Sequence, residues 1–321
     1  MNLRAVLRFG ATLLALIFIA AMISSLFPGR YWVFESLSNL RVQFAWLGFI
    51  FALGLFALRL RLLALVSLLS GLFCTYLVLS IPRPPHQPIA TVTGTKLRVM
   101  TVNIDFTHHD ADKLAQIIAA DHPDVLVLIE DLPAVRRAIA TRLGYLPYHA
   151  ETGIDVRAIS IDSRYPIKDA RVESTDFVAH ILTVTLLLPS ASGTQKIKLI
   201  ATHPLAPIRR WRAKQRKRAL DHIAELASGA HRPVILMGDL NTTPHSPYFA
   251  ELERSGQLVD TARSRSPAPT WIAPWIPLGL RVDHVLVSSE IRPVARHVSA
   301  GCGGDHRGLT VDLLVPPTVV P

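Results

Sequence analysis

Three apolar runs that contain no charged residue fill most of the first 81 positions, and apolar residues on every side of a helix point to membrane spans over the alternative of buried helices in a soluble core. Phe9 to Phe27 lies between Arg8 and Arg30, Val42 to Leu58 between Arg41 and Arg59, and Leu62 to Ile81 between Arg61 and Arg83. Each approaches the ~20 residues that cross a bilayer. Arg4 and Arg8 followed by the small Ala20 and Ala21 would also suit a cleaved signal peptide, but two more runs follow, so residues 1–81 read as an anchor of three transmembrane helices. Arg4, Arg8, Arg59 and Arg61 fall at one end of these spans, against Arg30, Arg41 and Arg83 at the other. The positive-inside rule then favours a cytoplasmic N-terminus, and three spans carry the rest of the chain to the extracytoplasmic side. Pro82, Pro84, Pro85 and Pro88 make residues 82–94 a stiff linker.

The average composition, 50% hydrophobic and 18% charged, hides a second and different half. From 95 to 315 short β-branched runs alternate with amphipathic stretches, the pattern of an α/β globular domain, with 316–321 left as a tail. Expected strands are Leu97 to Asn103, Val125 to Ile129, Ile181 to Leu188, Ile197 to Thr202, Val234 to Met237 and Val282 to Val287. Expected helices are Ala111 to Ala120 and Arg209 to Leu226. The only cysteines, Cys74 and Cys302, exclude a disulfide framework and a Cys-rich zinc site, so any metal must sit on oxygen or histidine.

Polar residues gather at the strand ends: Asn103 and Asp105, Glu130, His203, Asp239 and Asn241, Asp283 and His284, then Asp305 and His306 in a glycine-rich turn. Strands of one layer deliver their ends to a common edge, so these residues can meet in one cleft. Carboxylates such as Glu130 and Asp305 are hard ligands for Mg²⁺ or Mn²⁺. Amides can donate to phosphate oxygens, and a histidine beside a carboxylate exchanges protons near neutral pH. Metal-assisted phosphoester hydrolysis uses this inventory.

The same residues lie in strings that resemble the endonuclease/exonuclease/phosphatase superfamily: LRVMTVNID (97–105), DVLVLIE (124–130), SRYPI (163–167), ATHP (201–204), GDLN (238–241), RVDHVLVS (281–288) and GGDHRG (303–308). The resemblance implies a four-layer sandwich, two mixed β-sheets flanked by helices, here preceded by the three spans. It implies that Glu130, with Asn103 and Asp305, holds Mg²⁺ or Mn²⁺, supported by Asp105 and His284. His306 becomes the general base or phosphate-contacting histidine, oriented by Asp283. Asp239 positions or deprotonates the attacking water, and Asn241 and His203 stabilise the charge on phosphorus. Two positions depart from relatives: LIE stands where nuclease members often have LQE, and His284 where a tyrosine is common.

Arg164, Arg210 and Arg212 are candidates for substrate binding, the last two within RRWRAKQRKR (209–218), which reads as a phosphate-attracting funnel or as a solvated helix face. His108 and His109 read as an exposed helix start rather than metal ligands, and Trp271 and Trp275, among Pro267, Pro269, Pro274 and Pro277, as loop packing, a lid or a membrane-dipping element. The expected protein is an inner-membrane, bacterial-type phosphoesterase that meets lipid through its anchor, with no obligatory protein partner. Its substrate is a phosphomonoester or phosphodiester, such as a lipid headgroup or small phosphodiester. A membrane-tethered nuclease on DNA or RNA and a catalytically degenerate phosphate-binding module are the alternatives.

Overall fold

The computed structural model describes residues 2–81, 94–108, 110–153, 157–175, 179–190, 193–262, 268–273 and 276–317. The linker 82–93, His109, Pro267, Pro274, Trp275 and 318–321 lie outside them. Four helices come first: α1 (Leu3–Ser24), α2 (Trp32–Ser38), α3 (Arg41–Ala57) and α4 (Arg61–Leu79). The helix α1 starts earlier than the apolar run, because the Asn2 side chain caps it by accepting from the Arg4 amide. It ends before Pro28 and Gly29. Helices α1 and α4 are each long and apolar enough to cross a membrane, and α3 joins them when taken with α2, from which it bends by 75°.

Small residues let α3 and α4 meet. A methyl group on Gly48 would sit 2.5 Å from Gly71 Cα, and Ala64, Ser67, Ser70 and Cys74 are buried along the same face of α4. Ala15 of α1 packs with Leu55 and Ala64, while Phe18 and Met22 pack with Phe44, Ala45 and Cys74. This packing puts Arg4 and Arg8 at the same end of the bundle as Arg59 and Arg61.

After Gly94 the order is β1 (Thr95–Asn103), α5 (Ala111–Asp121), β2 (Val125–Ile129), α6 (Pro133–Ile139), β3 (Tyr148–Glu151), β4 (Ile159–Ser163), β5 (Ile167–Thr175), β6 (Ala179–Ser190), β7 (Gly193–His203), α7 (Arg210–Ser228), β8 (Val234–Asp239), α8 (Pro247–Ser255), β9 (Leu258–Asp260), β10 (Trp271–Ala273), β11 (Ile276–Leu280), β12 (Asp283–Ser288), β13 (Arg292–Gly301) and β14 (Arg307–Val315). One six-stranded sheet runs β13-β14-β1-β2-β4-β3, the other β5-β6-β7-β8-β12-β9. Each holds one parallel pair, β1 with β2 and β7 with β8, so both sheets are mixed.

The sheets pack face to face, with Val99, Val127 and Ile161 of the first meeting Val184, Leu199 and Met237 of the second in one apolar cluster. Helices α5 and α6 cover one outer face through Leu114, Ile118 and Val135, and α7 and α8 the other through Leu220, Ile223 and Phe249. This is the four-layer sandwich. Strand β2 is buried at every position because Val125, Val127 and Ile129 face the other sheet while Leu126 and Leu128 face helices. The edge strands β5 and β13 escape the sequence reading because an edge strand with charged residues shows no sustained apolar alternation.

The parallel pairs carry the ends of β1, β2, β7 and β8 to one rim, and β12, antiparallel to β8, starts there with Asp283 opposite Asp239. The Gly48 contact yields an expectation: Gly48→Ala lowers the thermal midpoint of the detergent-solubilised chain, an overpacking cost of about 1–3 kcal/mol. Gly54→Ala, whose added methyl meets nothing within 4 Å, leaves it unchanged.

Candidate active site

The rim is built from backbone that most residues avoid. Asp105 and Glu130 have φ of 60° and Asn241 of 48°, the left-handed region that costs a residue with a side chain. Hydrogen bonds hold each turn: Asp105 N donates to Asn103 Oδ1 at 3.1 Å, Phe106 N to Glu130 Oε2 at 2.9 Å and Asn241 N to Asp239 Oδ1 at 2.8 Å. Gly238 has φ of 143°, and a Cβ there would collide with the Thr202 carbonyl oxygen, so only glycine lets β8 approach β7 just before Asp239.

Side chains from both sheets converge on Asp239. Asn103 Nδ2 donates to its Oδ2 at 3.1 Å, and His203 Nε2 and His306 Nε2 stand 3.6 and 3.7 Å from that same oxygen. His203 Nε2 is also 3.8 Å from Glu130 Oε1, and His306 Nε2 3.8 Å from Asp305 Oδ1. His306 Nδ1 pairs with Asp283 Oδ2 at 2.9 Å, which turns Nε2 toward the cluster. Asn241 Nδ2 donates to the Pro204 carbonyl at 2.9 Å. Asn103, Asp105, Glu130, His203, Asp239, Asn241, Asp283, Asp305 and His306 are thus brought together.

Two further residues support the site. Trp271 Nε1 donates to Asp305 Oδ2 at 2.6 Å, so this tryptophan holds a carboxylate of the site. Thr270 Oγ1 accepts from the Val282 and Asp283 amides at 3.2 and 3.0 Å. Both lie in a proline-rich stretch without periodicity, where no pattern in the sequence marks these roles.

Charge is crowded here. Burial pushes the Asp239 carboxyl up, the neighbouring Asp283 adds to this, and it reaches about 7. Burial also raises Glu130. Burial would lower His306, but the carboxylates of Asp283, Asp239 and Asp305 outweigh it and carry it to about 10. His203 falls to about 3 through burial and the nearby His306 charge, so it is neutral at pH 7. Asp283 Oδ1 is buried with no hydrogen-bond partner, and Asp239, Asp283 and His306 present ligand atoms within 4.8 Å of one another. Four carboxylates facing one imidazolium leave excess negative charge on hard oxygen donors, a set that fits a divalent metal.

Three further expectations are corrected. Strand β4 runs antiparallel to β2 with Ser163 beside Val125, which puts Arg164 on the opposite rim, paired with Asp124 at 2.8 Å. His284 alternates with Asp283 along β12 and faces away from the cleft, where its Nε2 contacts the Thr242 carbonyl at 2.9 Å. Arg210 is not at the cleft: within the basic run Arg209, Arg210, Lys214, Lys217 and Arg218 form an exposed, solvated face, Arg210 and Lys214 line a separate cavity, Arg216 is fully buried, and Arg212 is the member whose charge reaches His203. His108 is largely exposed beside Thr107, in keeping with an exposed turn.

Residues 100–306 match the model of the Endonuclease/Exonuclease/phosphatase family. Among solved structures similar to the chain, the endonuclease/exonuclease/phosphatase from Beutenbergia cavernae DSM 12333 is 23% identical with a TM-score of 0.55, covering 69% of this chain and 72% of its own. TDP2 from D. rerio, complexed with single strand DNA product, is 21% identical with a TM-score of 0.55, covering 68% of this chain and 99% of its own. The 3' phosphatase NExo from Neisseria, bound to product DNA hairpin, is 17% identical with a TM-score of 0.52, covering 67% and 98%. These likenesses concern the fold. A comparison with curated proteins gives no match.

The apolar N-terminal helices lie outside the matched residues, yet they touch the site's supports. Glu35 of α2 pairs with Arg216 of α7, both fully buried, and Arg216 Nη1 donates to the Asn241 carbonyl at 2.6 Å. Ser246 Oγ donates to the other Glu35 oxygen at 2.6 Å. Asn39 Oδ1 accepts from the Thr243 amide at 2.7 Å, and Gln43 Nε2 donates to the Gly279 carbonyl at 2.6 Å. The loop that follows Asn241 is therefore clasped by α2 on one side and by His284 on the other. Removing one partner of such a pair strands a buried charge, so Glu35→Ala costs about 3–5 kcal/mol in the thermal unfolding of the full chain. Combining it with Arg216→Met recovers most of that loss, whereas equal midpoints for wild type and Glu35→Ala would dismiss the clasp.

Proposed function

Because the chain belongs to the endonuclease/exonuclease/phosphatase family, whose members are metal-dependent phosphoesterases, nucleases or phosphatases, we propose that it is a membrane-anchored phosphoesterase. It hydrolyses a phosphodiester or phosphomonoester with activated water. The observation that carries this reading is the Asp283–His306 pair, 2.9 Å long, aimed at an Asp239 carboxylate that Asn103 already holds. Glu130, Asn103 and Asp305 would hold Mg²⁺ or Mn²⁺, with Asp105 in support. When bound, the ion neutralises charge on the phosphate. His306 Nε2, fixed by Asp283, exchanges a proton with the reacting phosphate, and Asp239 orients the attacking water and accepts its proton. The neutral His203 and the Asn241 amide donate to the oxygens that gain charge at phosphorus. Arg212 draws the anionic substrate toward His203.

The anchor supports a membrane location. Arg4, Arg8, Arg59 and Arg61 lie at the end of the bundle away from the catalytic domain, which favours an extracytoplasmic domain. A second reading, a tethered nuclease or DNA-end phosphatase, draws support from the two solved relatives that hold DNA products.

The test uses the full chain in detergent with bis-p-nitrophenyl phosphate, phosphatidylinositol phosphates, sphingomyelin, plasmid DNA and RNA. Turnover requires Mg²⁺ or Mn²⁺ and stops with EDTA. His306→Ala lowers it about 10²–10⁴-fold at an unchanged thermal midpoint. Turnover that survives EDTA or His306→Ala contradicts the reading, and the preferred substrate decides between the lipid and nucleic-acid versions. Trp271→Phe, which frees Asp305, raises the metal concentration for half-maximal activity about 10–100-fold, as loss of a ligand's supporting hydrogen bond does.

A further inference from the structure

Helix α7 presents two faces to two different tasks. Arg216 turns inward to Glu35, whereas Arg210, Lys214 and Lys217, spaced four and three apart, share another face. With the chain between α1 and α2 that face encloses a cavity of about 290 Å³, lined also by Arg30, Tyr31, Trp32 and Tyr248. Lys217 is satisfied by Asp221 at 2.7 Å and by the Tyr248 ring. Among the described residues, Arg30, Arg210 and Lys214 have no carboxylate within salt-bridge range, and the one carboxylate in the lining, Glu35, is committed to Arg216 and Ser246. Arg30, Arg210 and Lys214 are solvent-exposed cations from two separate segments that line one cavity, so an anion seated there would be attracted by all three.

The position of the cavity identifies the anion. Pro28 to Trp32 follow directly on α1, so the opening lies where the hydrocarbon of a bilayer would end. Tyr31 is 50% exposed and Phe27 53%, and Trp211 and Ile208 on the α7 side are 53% and 64% exposed, the amphipathic and apolar collar that settles at a membrane surface. We propose that this cavity binds the headgroup of an anionic phospholipid, its phosphate between Arg30, Arg210 and Lys214 and its acyl chains along the exposed apolar side of α1. Basic pockets beside transmembrane helices recognise lipid phosphate in this way. The proposal rests on the reading of α1 as a membrane span and is independent of hydrolysis.

The full chain is placed in nanodiscs of phosphatidylcholine alone or mixed with phosphatidylglycerol, and lipids retained after detergent extraction are counted by native mass spectrometry. Carbonate extraction of native membranes checks insertion first, so a chain that does not insert defeats the span reading and the proposal with it. For an inserted chain, wild type is expected to retain phosphatidylglycerol and to gain thermal midpoint in the mixed discs. The variant Arg30→Gln/Arg210→Gln/Lys214→Gln is expected to lose both while keeping the midpoint seen in phosphatidylcholine, and Lys214→Glu alone to lose the retention. Equal retention by wild type and the triple variant overturns the site. A midpoint raised as much by inorganic phosphate, without lipid retention, overturns the lipid assignment in favour of a free phosphate.

Discussion

A charge pair without access to water, Glu35 with Arg216, joins the two unlike halves of this chain. One partner comes from a short helix between longer apolar helices and the other from the helix that covers the second sheet. Each ion alone would be costly to bury, so the pair forms only when the N-terminal helices and the catalytic domain are in register. The consequence reaches the chemistry, because the same guanidinium holds the Asn241 carbonyl and Glu35 also holds Ser246. The N-terminal helices are therefore a wall of the catalytic loop, and a fragment that begins after them would carry Arg216 into the interior without its counter-charge.

The site itself is costly to fold. Three residues stand in left-handed backbone and four carboxylates crowd one imidazolium, an arrangement that the surrounding sheets must hold in place. The extensive apolar interior between and outside the two sheets supplies that support. Strain and unbalanced charge at a rim, on a scaffold that is otherwise regular, is what a cleft prepared for a phosphate and a cation requires.

Much of this was legible in the sequence because parallel strands buried on both faces spell unbroken apolar runs, and Val125 to Ile129 is followed at once by Glu130 while Val234 to Met237 is followed by Gly238 and Asp239. Glu130 and Asp239 follow from that alone. His284 was misplaced at the site, although a neighbour in a strand faces the opposite side and the period of two already separates it from Asp283. Arg164 was not legible, because its rim depends on the direction of β4, which only the assembled sheet decides. Nor was the partnership of Glu35 with Arg216, 181 positions apart, or the hold of Trp271 on Asp305. Pairings across such distances leave no local pattern, and the apolar helical half and the catalytic half read as separate until they touch.

The most direct measurement follows the oxygen atoms. Hydrolysis by the full chain in water enriched with heavy oxygen, with Mg²⁺ present, is expected to place one labelled oxygen on the phosphorus of the product, and the label is absent when EDTA is added. Label found in the alcohol product, or phosphate released without label, would contradict attack by an activated water at phosphorus.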